Sequence, residues 1–419
     1  MSAPPRTAAE ALDGGPRHGS FRPWEIVPAL GVAAGFAAWA AAAFLYARPL
    51  DFGLAYRAGV AAWDSGRPEQ LQTWMSTPFL GLVMALVSRA VSLRTGIAAM
   101  TALNVGLTAV LLGAVWRRLR PQVPRATWWA TLGLAAVFTP MVSTALFKQF
   151  NLLVLALGLA GFVAVRRGRD GAGGALTALA LCLKPIAVLT PLAFLSWRDT
   201  RRAGVWTIAW AAVYTAAAQA FLAWRASDAA ALDPLPAFAN FSKRTARWVC
   251  HEENFSPRGT VCRMAGDETW EPGALIVLSG VLLLAAMARH ALDRHTGRSW
   301  EAFAFVCLVS PMVGPIAWTH YQLFLAPMLL LLAVRFGTGG AHWTLWAALA
   351  FSFFLSALVV RPIGTVPGGL AYLFDGRDTE TLQDAFRVMA VSQFAQYFLF
   401  LTAYAAVREP EPHLTRHPR

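Results

Sequence analysis

The chain has 419 residues, 57% of them hydrophobic and only 14% charged, where soluble domains run near ~25% charged. Mean hydropathy is +0.47 and the net charge is +13. This excludes an ordinary soluble fold. It also argues against a nucleic-acid partner, because the Lys and Arg residues gather in short loops between apolar runs, as in proteins oriented in a membrane.

The apolar runs are close to the ~20 residues that cross a ~30 Å hydrocarbon core. Period-two alternation, the mark of a barrel strand, is absent. The fold expected is an all-α polytopic membrane protein. Residues 1–23 are rich in Pro and Ala and read as a disordered cytoplasmic tail without a signal-peptide cleavage site, so the first helix is expected to stay. Twelve spans follow: 24–47, 96–115, 126–146, 151–165, 172–186, 187–197, 204–224, 272–288, 300–318, 321–335, 342–360 and 388–407. The run 77–93 is interrupted by Arg89 and opens with Ser76-Thr77-Pro78, and reads as an interfacial helix. A single transmembrane domain, 24–407, then carries external loops at 48–95, 225–271 and 361–387, and a cytoplasmic tail occupies 408–419.

Charge orients this threading. With both termini inside, the inner face of a cytoplasmic membrane takes about +11 and the outer face about +2. The basic clusters at 117–125, 166–169, 198–202 and 289–298 all fall inside. Asp51, Lys148-Gln149-Phe150-Asn151, Lys184-Pro185, the 225–271 loop and Trp318-Thr319-His320 all fall outside. A scaffold has no reason to collect its unusual polar groups on one face.

Asp51 follows the first span. There it is either a stop signal for the helix or, if desolvated, a usable general base. Tyr56 and Trp63 suit an aromatic wall for a sugar, or an interfacial belt. Gln149 and Asn151 both donate and accept, as sugar hydroxyls require, or they form a polar turn. Lys184 lies in an apolar stretch, where an ammonium is costly unless it meets an anion. Pro185 breaks the helix beside it, freeing backbone groups. In the large loop, Asn254 and Ser256 suit hydroxyl contacts and Arg258 suits bidentate phosphate binding; the bland reading is a solvated cap. Cys250 and Cys262 flank this loop and suit a disulfide if it faces an oxidising compartment, whereas Cys182 and Cys307 read as packing residues. His320, between Trp318-Thr319 and Tyr321, can donate to a phosphate oxygen or orient an acceptor.

No Walker motif, dinucleotide turn, kinase or hydrolase signature or metal-ligand spacing is present. No metal or other cofactor is expected, and a sugar donor need not be a nucleotide.

The order of these motifs resembles glycosyltransferase family 87. An Asp after the first span precedes Tyr56 and an Ala/Gly-rich segment. Ser76-Thr77-Pro78 replaces the family's tyrosine-proline-proline. Gln149-Phe150-Asn151 resembles its glycine-glutamine-valine-asparagine turn, with Lys148 at the glycine. Arg166-Arg167-Gly168-Arg169-Asp170, Ala172-Gly173 and Lys184-Pro185 match its next block. Asn254, Ser256 and Gly259, then Ser310-Pro311 with Trp318 and His320, follow in order, so that the likeness runs from about 48 to 335. The resemblance implies a GT-C fold and inverting transfer of a sugar, mannose first, from a polyprenyl-phosphate donor to a lipid or glycan acceptor on the outer face of the membrane. It implies Asp51 as the general base and Lys184, Arg258 and His320 as phosphate contacts. A flippase for lipid-linked saccharides is the competing class, but it is expected to show internal repeats and mid-membrane breaks in both halves. A structural subunit of an envelope assembly is a third.

Overall fold

A computed structural model describes residues 23–45, 50–68, 77–119, 128–129, 132–133, 139–228, 256, 259, 262, 270–313, 319–338 and 391–408. Every regular element among them is helical, as the apolar runs require. They are α1 (Ile26–Leu45), α2 (Leu50–Ser65), α3 (Pro78–Ala90), α4 (Leu93–Leu119), α5 (Thr139–Leu146), α6 (Asn151–Arg166), α7 (Asp170–Leu183), α8 (Leu189–Ser196), α9 (Arg201–Ala226), α10 (Trp270–Ala291), α11 (Trp300–Val313), α12 (Ala326–Thr338) and α13 (Val391–Arg408). Short 3-10 segments, Pro185–Val188 and Thr319–Leu325, precede α8 and α12.

Among the described residues, Pro23–Leu45, Leu93–Ala114 and Arg201–Ala226 are each long and apolar enough to cross a membrane. Other apolar helices are shorter. The expected sixth span, 187–197, is a 3-10 turn followed by the eight-residue α8. At 1.5 Å per residue α8 is about 12 Å long and cannot cross a ~30 Å core. Pro185 is the physical reason, since it halts the helix just after Lys184. The run 77–93, expected to lie at the interface, forms the 13-residue α3, Pro78–Ala90. The expected span 342–360 lies outside the described residues.

Small residues bring the central helices together, as packing between helices in lipid requires. A Cβ at Gly161 of α6 would sit 2.6 Å from Thr177 Oγ1 of α7, and one at Gly174 would sit 2.6 Å from Trp206 Cβ of α9. α7 is therefore held between α6 and α9. Gly168, at φ 74°, makes the tight α6–α7 turn that few other residues accept.

Polar contacts mark the two ends of this bundle. At one end Arg298 donates to Asp170 Oδ1 at 3.1 Å and to the Asp199 carbonyl at 2.9 Å. This joins the basic turns after α6, before α9 and before α11. At the other end, some 20 Å away along α6 and α7, lie Gln149, Asn151 and Lys184. The sequence reading placed these two sets of residues on opposite faces, and the helices separate them in the same way.

α2 and α3 pack as a close pair beside α9. A Cβ at Gly59 would meet the Met84 backbone at 2.3 Å. Thr77 caps α3 by accepting from the Leu80 N–H at 3.2 Å, with Pro78 at the first helical position, and its hydroxyl donates to the Cys182 carbonyl at the end of α7. Trp63 near the end of α2 lies under Arg89 of α3 and Arg225 of α9, at 5.3 and 4.9 Å from the ring centroid. A second core, from α10 to α13, is built on Phe305, Leu308, Met312, Met328, Leu332 and Phe400.

Candidate active site

Asp51 is in the first turn of α2, half-buried, where the positive end of the helix favours a carboxylate. Its neighbour Phe52 anchors that turn, 6.2 Å from the Phe150 ring. Burial pushes the Asp51 pKa up; the Lys184 charge and a hydrogen bond from the Gln149 side chain oppose the rise.

Gln149 lies in the turn between α5 and α6, whose axes bend by 118°. Lys148 makes that turn with φ 55°, a left-handed conformation that strains any residue but glycine. This accounts for the glycine that the resembling motif carries there. The Lys148 side chain is buried and its Nζ donates to the Ala43 carbonyl at the end of α1. Gln149 is also buried. Its Oε1 accepts from Lys184 Nζ at 3.0 Å, and its amide nitrogen is left to serve Asp51. Lys184 caps α7 in an extended conformation, and its ammonium sits 4.4 Å from the Tyr321 ring centroid. A carboxylate, an amide and an ammonium from three separate elements thus share one small site. Such a site can take a proton at Asp51 and hold an anion at Lys184.

The remaining sequence expectations divide. Asn151 is buried at the start of α6, next to this cluster in the chain. The Tyr56 hydroxyl donates to the carbonyls of Val91 at 2.9 Å and Ser88 at 3.3 Å, so it ties α2 to the end of α3. Ser256 is buried, and its Oγ accepts from the Gly259 N–H at 3.0 Å. His320 is on the 3-10 segment that carries Tyr321; its side chain, like Asn254, Arg258 and Cys250, lies outside the described residues. Cys262 is in disulfide linkage, and Cys182 and Cys307 are free. Two participants escaped the sequence reading. Tyr321 was read only as flanking His320. Asn104, in the middle of α4, is fully buried and its Nδ2 donates to the Gln149 carbonyl at 3.2 Å. A lone Asn in an apolar span was a usable signal for it. No group of three His, Cys, Asp or Glu among the described residues could hold a metal ion.

The family model for glycosyltransferase family 87 matches residues 74–315, more than half of the chain. The chain belongs to glycosyltransferase family 87. As a family 87 member with several apolar helices, it is a membrane glycosyltransferase. Gln149, Asn151 and Lys184 fall within the matched stretch; Asp51 and Tyr321 flank it. The chain is 26% identical over 321 residues to the polyprenol-phosphate-mannose-dependent alpha-(1-2)-phosphatidylinositol mannoside mannosyltransferase of Mycolicibacterium smegmatis, covering 67% of this chain and 68% of that protein. No solved structure matches.

Proposed function

We propose that the protein transfers mannose from a polyprenyl-phosphate donor to a hydroxyl of a lipid or glycan acceptor, with inversion, at the outer face of the cytoplasmic membrane. The observation that carries this reading is the placement of Asp51 and Lys184 on the same Gln149 amide. Direct displacement at an anomeric carbon needs a base at the attacking oxygen and charge stabilisation at the leaving oxygen, a few ångströms apart and in line. Asp51 takes the proton of the acceptor hydroxyl as that oxygen bonds to the anomeric carbon. The bond from that carbon to the phosphate oxygen breaks, and polyprenyl phosphate leaves with the electron pair. The departing phosphate is already anionic, so a cation serves it better than an acid does. Lys184 supplies that cation, with Arg258 and His320 as further phosphate contacts. Asn151, Asn254 and Ser256 are the proposed hydroxyl contacts. A β-linked donor gives an α-linked product. The relative's name supports the lipid-phosphate mannose donor, and the phosphodiester is itself activated, so the reaction calls for no cofactor.

The test is transfer of radiolabel from polyprenyl-phosphate-mannose into a lipid extract of the host by protein purified in detergent, with Asp51→Asn beside it. Transfer by wild type and none by a folded Asp51→Asn is expected. Equal transfer by both overturns Asp51 as the base. Label in neither overturns the donor assignment.

A further inference from the structure

A glutamine amide offers one strong acceptor and two donors and carries no charge. At Gln149 the acceptor takes Lys184 Nζ and the donor end takes Asp51. An ammonium and a carboxylate this close, in a half-buried place, attract each other strongly. Without the amide between them they close into a direct ion pair. A carboxylate in such a pair is a weaker base, and the ammonium then spends on it the charge that a phosphate would need.

The backbone of Gln149 is fixed independently of its side chain. Its N–H donates to the Thr144 carbonyl at 2.9 Å, and its carbonyl accepts from Asn104 Nδ2 at 3.2 Å. Asn104 is held in turn in the middle of α4, where its own carbonyl accepts from Thr108 Oγ1 at 2.8 Å. The side chain of Gln149 is 2% exposed and cannot swing into water. Lys184 gives one of its three N–H groups to Gln149 and keeps donors for another ligand.

We infer that Gln149 is a positioning residue that holds the Asp51 carboxylate and the Lys184 ammonium apart, and that Asn104 sets its position through the backbone. The inference rests on the roles proposed above for Asp51 and Lys184. Lys184 is the charged group that acts on Asp51 from the surrounding elements, and Tyr321 is the other titratable group near it. Of the arginines on the helices packed against α2, Arg89 and Arg225 stack over Trp63, about 18 Å along α2 from Asp51, and Arg94 is exposed.

The experiment is a pH titration of the Asp51 carboxyl by infrared difference spectroscopy on purified protein, each sample referenced to its own Asp51→Asn partner. It needs no substrate, so it reads the inference even if wild type fails to transfer mannose; that failure would fall on the proposed function alone. In Gln149→Leu the direct pair with Lys184 replaces the amide's hydrogen bond to Asp51 and outweighs its loss, so the carboxyl midpoint falls by about one to three pH units. In Gln149→Glu a second carboxylate takes Lys184, and the midpoint rises instead. Asn104→Leu, of similar volume but without the donor, moves it in the same direction as Gln149→Leu and by less. In the transfer assay the acid limb of kcat/KM moves with the midpoint in each variant. Opposite shifts in the two Gln149 variants are a signature that simple loosening of the fold does not produce. Midpoints that stay with wild type, or that move the same way in both, overturn the inference.

Discussion

The α2–α3 contact at Gly59 gives a sharp test of how the proposed base, Asp51, is carried. A methyl at this position would lie 2.3 Å from the Met84 carbonyl carbon and oxygen and 2.8 Å from Ala85 N. Carbon atoms rest at about 3.5–4.0 Å, so the two helices would have to part by more than 1 Å, roughly. All three obstacles are backbone, so no side chain can rotate out of the way. Overpacking of this kind costs about 1–3 kcal/mol, and the upper part of that range applies here. The helical preference for Ala over Gly returns only about 0.5–1 kcal/mol. Gly59→Ala is therefore expected to lose about 1–2 kcal/mol in reversible unfolding in detergent. Transfer falls with it, because Asp51 stands two turns away on the same helix. Gly158→Ala in α6 is the control: nothing lies within 4 Å of its new methyl, and it is expected to gain about 0.5–1 kcal/mol. If Gly59→Ala unfolds at or above wild-type stability, α2 and α3 do not approach this closely and their contact does not hold Asp51 in place.

Other expectations follow from the site. The Asp51 pKa is raised in the folded protein by burial, so the acid limb of the transfer rate should lie above the ordinary carboxylate range near ~3.9. By linkage, this raised pKa favours the fold below the unfolded value, and that stability is lost as pH rises through the folded value. Asp51→Asn should thus abolish transfer while leaving neutral-pH stability equal or higher, and a denaturation series at several pH values checks the sign. Lys184→Met removes a charge-assisted contact worth about 1.5–3 kcal/mol, so binding of polyprenyl phosphate should weaken about 10- to 100-fold. Tyr56→Phe should cost about 1 kcal/mol of stability through the lost bond to Val91 and leave transfer close to wild type; a large loss of transfer would restore Tyr56 as a substrate contact. Arg298→Ala, at the far end of the bundle, should cost about 1 kcal/mol in a salt-dependent way, with kcat unchanged.

Much of the site was legible because membranes make polar residues conspicuous. Lys184 in an apolar run, Pro185 after it and Asp51 at a helix end stand out from composition alone. Tyr56 stood out for the same reason, an aromatic hydroxyl at an interface, but its bonds to the carbonyls ending α3 are a long-range contact that no local pattern encodes. Asn104 was passed over because one amide in a long apolar helix fits packing as well as it fits support of a turn. The break after Lys184 was visible too, but its consequence for α8 depends on how far the chain runs before it turns back.

The sequence by itself determined the class of the protein, since a chain this apolar has to satisfy its backbone internally and so forms helices. It also determined that basic turns and unusual polar groups lie at opposite ends of them, because loops and breaks are the places where charge is cheap. Only the tertiary structure decided that Asp51, Gln149 and Lys184 meet. Their contact depends on the glycine-tight packing of α7 between α6 and α9, on the Lys148 turn and on the α2–α3 pair, each a long-range fit that no local pattern encodes.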